Sequence, residues 1–205
     1  SCNQVVLLLG AGASTAAGIP DFRSSLGLWQ SKEYREIFSA HGARSNPKKF
    51  WELLRPMQDA QPCATHRFLA LLQVRGKLLR VYTQNIDELE LRAGVEEDRV
   101  VFVHGRAREV CGKCGHPTGK PPAALCSEVG DEATCAHCGT GAHLRRPDVV
   151  FFGEPLPQKF DELQDADMRQ CDLLVVVGSS LSVYPAAGLV NAVGPLVPRL
   201  CVNRE

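Results

Sequence analysis

The sequence predicts an α/β protein built on a doubly wound parallel sheet. Three observations carry this reading. Short apolar runs recur at Val5–Leu9, Leu78–Tyr82, Val100–Val103, Val149–Phe152, Leu173–Val177 and Leu200–Val202. Helical patterns lie between several of them, and strands alternating with helices call for a parallel sheet. The first run leads straight into Gly10-Ala11-Gly12-Ala13, a small-residue turn that lets backbone approach a ligand without a Cβ in the way.

Val5–Leu9 is apolar throughout and bounded by glycine, the pattern of a strand buried on both faces. Ser14 or Thr15 offers a hydroxyl to cap a following helix, whose first N–H groups would suit a phosphate. Residues 24–62 read as a helical insertion. Within it, Asn46-Pro47 is an N-cap followed by proline at the first helical position, ahead of Phe50, Trp51, Leu53 and Leu54. Thr65–Gln73 carries Phe68, Leu69, Leu71 and Leu72 at helical spacing, and Pro185–Val193 reads as a further helix. Residues 106–146 interrupt the alternation again, with paired cysteines among many Gly and Pro. The sheet domain is then assembled from residues 1–23, 63–105 and 147–205.

The chain has 205 residues and no formal net charge, ample for one core and a poor match to bulk electrostatic binding of nucleic acid or anionic membrane. No apolar run approaches transmembrane length, and the first residues lack a secretory signal pattern, so an intracellular protein is expected. Four of the nine cysteines form Cys111-x-x-Cys114 and Cys135-x-x-Cys138, separated by twenty residues. Two such knuckles suit tetrahedral Zn²⁺ in a ribbon module, and four protein ligands leave the metal structural. Cys126, His116 and His137 are spare candidates, more simply read as loop residues. Cys2, Cys63, Cys171 and Cys201 read as small buried hydrophobes.

Polar groups gather at the ends of the apolar runs. Gln84, Asn85 and Asp87 follow Leu78–Tyr82, His104 follows Val100–Val103, Gly178-Ser179-Ser180 follows Leu173–Val177, and Asn203 follows Leu200–Val202. In open α/β sheets ligands sit at strand carboxyl ends. His104 is the natural general base, since imidazole titrates near neutrality. The glycine turn alone is weak, because Thr15 stands where a dinucleotide fingerprint has its third glycine, and the lysine of a P-loop is missing.

Together these segments resemble the sirtuin family of NAD-dependent protein deacylases. The residues that carry the resemblance are GAGAST with GIPDFR (Gly10 to Arg23), TQNID (Thr83 to Asp87), His104-Gly105, the four cysteines, PDVVFFGE (Pro147 to Glu154), GSSL (Gly178 to Leu181) and NRE (Asn203 to Glu205). The resemblance implies a Rossmann-like domain that consumes NAD as a co-substrate and a structural Zn²⁺. Gly10, Ala11 and Gly12 would cradle the pyrophosphate, with Asp21, Phe22 and Arg23 closing over the nicotinamide ribose. Gln84 would touch the ribose, Asn85 and Asp87 would hold the carboxamide, Gly178, Ser179 and Ser180 would bind phosphate, and Asn203 would meet the adenosine ribose. His104 and Asn85 are the catalytic candidates. Val150, Phe151, Phe152, Gly153 and Glu154 would pair as a strand with an acyl-lysine protein or peptide, which is β-augmentation. Transfer of the acyl group to ADP-ribose would release nicotinamide and free lysine.

This chain departs from the family pattern at three places. Glu88 stands where glycine is usual, Arg106-Ala107 replaces a small hydroxyl residue and phenylalanine, and Ser179 replaces threonine. The family pattern also continues beyond Glu205 through a further strand. The stretch Gly27 to Lys32 lacks the tyrosine and arginine that hold acidic acyl groups, so a neutral acyl group is expected. Two rival readings are a dehydrogenase, which would make NADH, and a zinc-ribbon binding module on an inactive nucleotide fold. The second has Arg106, Arg108, Lys113 and Lys120 near the knuckles in its favour.

Overall fold

The computed structural model describes residues 2–21, 27, 30–118, 135–139 and 145–204. Among these, the strands in chain order are β1 (Val5–Leu9), β2 (Leu78–Thr83), β3 (Val100–Phe102), β4 (Gly105–Cys111), β5 (Arg145–Val149), β6 (Leu173–Val177) and β7 (Arg199–Val202). The helices are α1 (Lys32–Ile37), α2 (Ala40–Ser45), α3 (Pro47–Asp59), α4 (Ala64–Val74), α5 (Leu89–Arg92), α6 (Gln158–Gln170) and α7 (Leu189–Ala192). Five strands form one parallel sheet in the order β3-β2-β1-β6-β7. From β1 the chain steps outward through β2 and β3, then crosses to the other side of β1 for β6 and β7, so the switch point where a crevice opens lies between β1 and β6.

The apolar pattern of β1 follows from its place at the centre. Val6 and Leu8 face one layer with Tyr82, Phe160, Met168 and Leu174, while Val5, Leu7 and Leu9 face the other with Leu69, Val81 and Val175. Every β1 side chain is buried, each contributing roughly 1.5–3 kcal/mol. An ion pair pins α6 to the sheet: Arg80 on β2 reaches Asp167 on α6 at 2.8 Å, and the Tyr82 hydroxyl donates to the same carboxylate at 2.8 Å. A third cluster, built on Phe50, Trp51, Leu54 and Met57 of α3, packs against Ile86, Val149 and Phe151. It sets the helical insertion beside the ends of β2 and β5.

The Asn46 cap holds as read, its side-chain oxygen accepting the Lys49 N–H at 3.2 Å. Four expectations fail. The run Val149–Phe152 is no sheet strand: β5 stops at Val149 and pairs antiparallel with β4, and a turn closed by the Glu154 N–H on the Phe151 carbonyl follows. Pro185–Val193 is broken into a 3-10 turn, Ala186–Gly188, and the short α7. Neither Ser14 nor Thr15 caps a helix, because the 3-10 helix Ala11–Ala17 already begins at Ala11 and both hydroxyls fall inside it. Cys201 is exposed, because β7 lies at the sheet edge, and Cys2 ahead of β1 is only half-buried, whereas Cys63 and Cys171 are buried as expected.

Candidate active site and metal centre

All five parallel strands end at one cleft of about 1250 Å³, lined by Gly10, Gly12, Gln84, Asn85, Asp87, His104, Gly178, Ser179 and Asn203. Its floor is a seam between two turns. Gly10 donates to the Val177 carbonyl at 3.0 Å and Gly12 to that of Gly178 at 2.9 Å. A Cβ on Gly10 would lie 2.6 Å from the Gly178 oxygen, and one on Gly178 would lie 2.2 Å from the Ala13 nitrogen. The glycines thus serve turn-against-turn packing, where the sequence suggested only ligand approach.

At the end of β2 a buried polar network forms. The Asn85 amide donates to the Gly10 carbonyl and to Ser14 Oγ, each at 3.1 Å. Ser14 Oγ donates to Asp87 Oδ2 at 2.7 Å, and Asp87 Oδ1 accepts the Leu89 N–H at 3.0 Å. His66, fully buried on α4, lies 3.5 Å from Ser14 Oγ through Nε2. Its Nδ1 accepts the Cys63 N–H at 3.2 Å, which places the ring proton on Nε2. Burial holds the His66 pKa below its usual value, against the pull of Asp87. Arg92 binds the Asp87 carbonyl at 2.5 Å and three carbonyls at the end of α3, tying this loop to the insertion.

His104 hangs from the turn after β3. Its Nδ1 lies 3.0 Å from the Gln84 carbonyl, which can only accept, so Nδ1 carries the proton and Nε2 keeps its lone pair. Burial lowers the His104 pKa, partly offset by that hydrogen bond, so the ring is neutral at pH 7. On the far side of the seam Ser179 Oγ donates to Gln84 Oε1 at 2.8 Å, and the Asn203 amide donates to the Ser179 carbonyl at 3.2 Å.

The structure therefore brings together Gly10, Ala11, Gly12, Asp21, Gln84, Asn85, Asp87, His104, Gly178, Ser179, Ser180 and Asn203, with the segment from Val150 to Glu154 on the same cleft. Phe22 and Arg23 lie outside the described residues. Arg106 does not line the cleft; it is held by Glu88, Glu97 and the Phe102 ring. Ser14, His66 and Arg92 were missed as parts of the site. Cys63, His66 and Leu69 share a helix face that reads as core, which hid the histidine.

The cysteine module is rooted at the end of β4. Sγ atoms of Cys111 and Cys138, and of Cys114 and Cys135, stand 3.7 Å apart, and all four lie within 4.8 Å of one another. A tetrahedron with Zn–S of about 2.3 Å has edges of about 3.8 Å, so the set fits Zn²⁺ closely. Each knuckle is closed by a backbone bond, Gly115 to Cys111 at 2.8 Å and Gly139 to Cys135 at 2.7 Å. The rings of His116 and His137 stack across the two knuckles at 4.8 Å. Cys126 lies outside the described residues.

A parallel sheet with a polar crevice at its switch point and a four-cysteine cluster beside it defines an open-sheet α/β protein with a ribbon module whose thiols fit a structural metal. The chain belongs to the Sir2 family, whose model matches residues 10–185. It is 37% identical to the NAD-dependent deacetylase sir2D of Dictyostelium discoideum, over 100% of this chain and 40% of that protein. It is 37% identical to the NAD-dependent protein deacetylase sirtuin-2 of Danio rerio, over 100% of this chain and 56% of that protein. A solved structure described as "Structural Basis for the Mechanism and Regulation of Sir2 Enzymes" superposes with a TM-score of 0.76 at 37% identity, covering 98% of this chain and 81% of that one. The chain spans 40 to 57% of the length of the first curated relatives it matches.

Proposed function

We propose that this chain is an NAD-dependent protein-lysine deacetylase that takes neutral acyl groups. One observation carries the reading: in a Sir2-family chain, His104 with a free Nε2 shares one cleft with Asn85 and Asp87, at the ends of adjacent strands. NAD, consumed as co-substrate, supplies the ribose carbon that receives the acyl oxygen and the nicotinamide that leaves. Asn85 and Asp87 hold the carboxamide end, with Ser14 and His66 fixing both side chains from behind. His104 Nε2 takes the proton of a ribose hydroxyl, and the Gln84 carbonyl steadies the imidazolium that forms. Gln84, Ser179 and Asn203 form a chain of hydrogen bonds along the ribose and phosphate path. Val150, Phe152 and Gly153 face the acyl-lysine peptide.

Among the described residues, neither Lys32 nor Arg106 lines the cleft, which supports a neutral acyl preference. Lys32 pairs with Glu36 on an exposed helix surface at 3.7 Å, and Arg106 is engaged behind the site. A buried succinyl carboxylate without a partner costs several kcal/mol. The test is mass spectrometry of an acetyl-lysine peptide incubated with the protein, with and without NAD. Loss of the acetyl group only with NAD, with nicotinamide released and no NADH formed, is the expected result. Deacetylation without NAD, or none with it, overturns the reading.

A further inference from the structure

We infer that Arg106 and Glu88 are a positioning pair that locks the nicotinamide-binding loop to the turn carrying His104. The inference rests on the deacetylase reading above. Neither side chain lines the cleft, so any action on the reaction passes through the residues they hold.

The two loops are stitched in series. The Val103 N–H donates to the Thr83 carbonyl at 2.9 Å, His104 meets the Gln84 carbonyl at 3.0 Å, and the Ala107 N–H donates to the Ile86 carbonyl at 2.8 Å. Beyond Ile86 the backbone ladder stops. The next tie is between side chains: Arg106 Nη1 stands 3.5 Å from Glu88 Oε1. That tie lies one residue past Asp87 on one loop and two residues past His104 on the other.

Arg106 is built in rather than loosely attached. Its side chain is 12% exposed, its guanidinium sits 4.3 Å above the Phe102 ring, and its other arm pairs with Glu97. Phe102 ends β3, two residues before His104, so one guanidinium grips the strand below the base and the loop beside it. Arginine's planar fork suits this double grip, which a lysine ammonium cannot reproduce.

Glu88 needs the partner. It sits in the left-handed region at φ 58°, a conformation that a residue with a Cβ rarely adopts. It is flanked by two buried carboxyl groups, Asp87 and Glu90, while burial raises its own pKa. Arg106, Arg108 and Arg92 are the cations that oppose this crowding, and Arg106 is the one in contact. Without it, Glu88 is driven toward solvent, and the loop carrying Asp87 follows.

The test compares the parent chain with Glu88→Gln, Arg106→Gln and the double variant, scoring nicotinamide release and deacetylated peptide. Glu88→Gln should lower kcat about tenfold and Arg106→Gln at least as much, since it also loses Glu97 and the Phe102 ring, and the double should fall no further than Arg106→Gln, because the Glu88 contact is already gone there. The KM for peptide should stay within about twofold, and the nicotinamide inhibition constant should rise about fivefold. Arg106→Lys should recover part of the kcat loss. Melting and zinc content report folding, and Glu88→Gln, close in volume to the parent residue, carries the test if an Arg106 variant fails to fold. Parent-like kcat in Glu88→Gln, or fully multiplicative losses in the double, overturns the pairing. An inactive parent chain overturns the deacetylase reading instead.

Discussion

The parallel sheet and the cysteine module are held together by opposite means. In the sheet, β1 is buried on both faces and each of its side chains touches a packed layer. In the module, the described residues around Cys111, Cys114, Cys135 and Cys138 are largely exposed, and the four thiols converge instead. One region gains its stability from apolar area removed from water, the other from metal–sulfur bonds. The catalytic candidates sit on the first, so their geometry depends on strand ends that need no metal.

The largest expected effect is loss of zinc. Cys114→Ser should cost the stoichiometric metal and unfold the module, since structural zinc contributes on the order of 10 kcal/mol. Circular dichroism and metal analysis would read it, and full zinc loading with an unchanged melt would break the comparison. His104→Ala should leave zinc content and melting in place while slowing acyl transfer about 10²–10⁴-fold. Because burial lowers the His104 pKa, the base stays deprotonated as pH falls, and the acid limb of kcat/KM should lie below pH 6.5. An acid limb well above that value would mean the ring is not the base.

A smaller effect separates acyl groups. Acetyl-lysine should exceed succinyl-lysine in kcat/KM by about two orders of magnitude in a direct competition on one peptide. The smallest concerns Glu90, fully buried on α5, whose pKa burial and the neighbouring Asp87 push up to about 8. In the unfolded chain this group titrates near 4.5, so between 4.5 and 8 the unfolded state releases a proton that the native state keeps. Stability therefore falls as pH rises across that window. Glu90→Gln should raise Tm by a few degrees at pH 8 and by less at pH 5. An equal change at both values would remove the buried carboxyl from the pH dependence.

The parts legible in the sequence were those written in local pattern. Five consecutive apolar residues bounded by glycine read as a strand covered on both sides, and two Cys-x-x-Cys pairs read as knuckles that converge on one metal. The strand-end groups Asn85, Asp87 and His104 were legible because the α/β layout says which ends face the crevice. What failed depended on partners distant in the chain. Val149–Phe152 has strand composition, but its pairing partner is β4, outside the main sheet. His66 and Ser14 look like core and turn residues until α4 packs under the end of β2. Glu88 and Arg106 stood out as separate departures, and only the folded chain brings them into contact.

The seam of Gly10, Gly12 and Gly178 has a consequence for how such a chain can vary. Two backbones meet there with no room for a methyl group. The floor of the cleft is thus a fixed datum, closed to adjustment by single substitution. Any drift in ligand preference has to be written in the walls, in side chains such as Leu181, Tyr184 and Phe152 that border the same space. An alanine at Gly178 would part β1 from β6 at their tips, shifting every wall of the cleft at once.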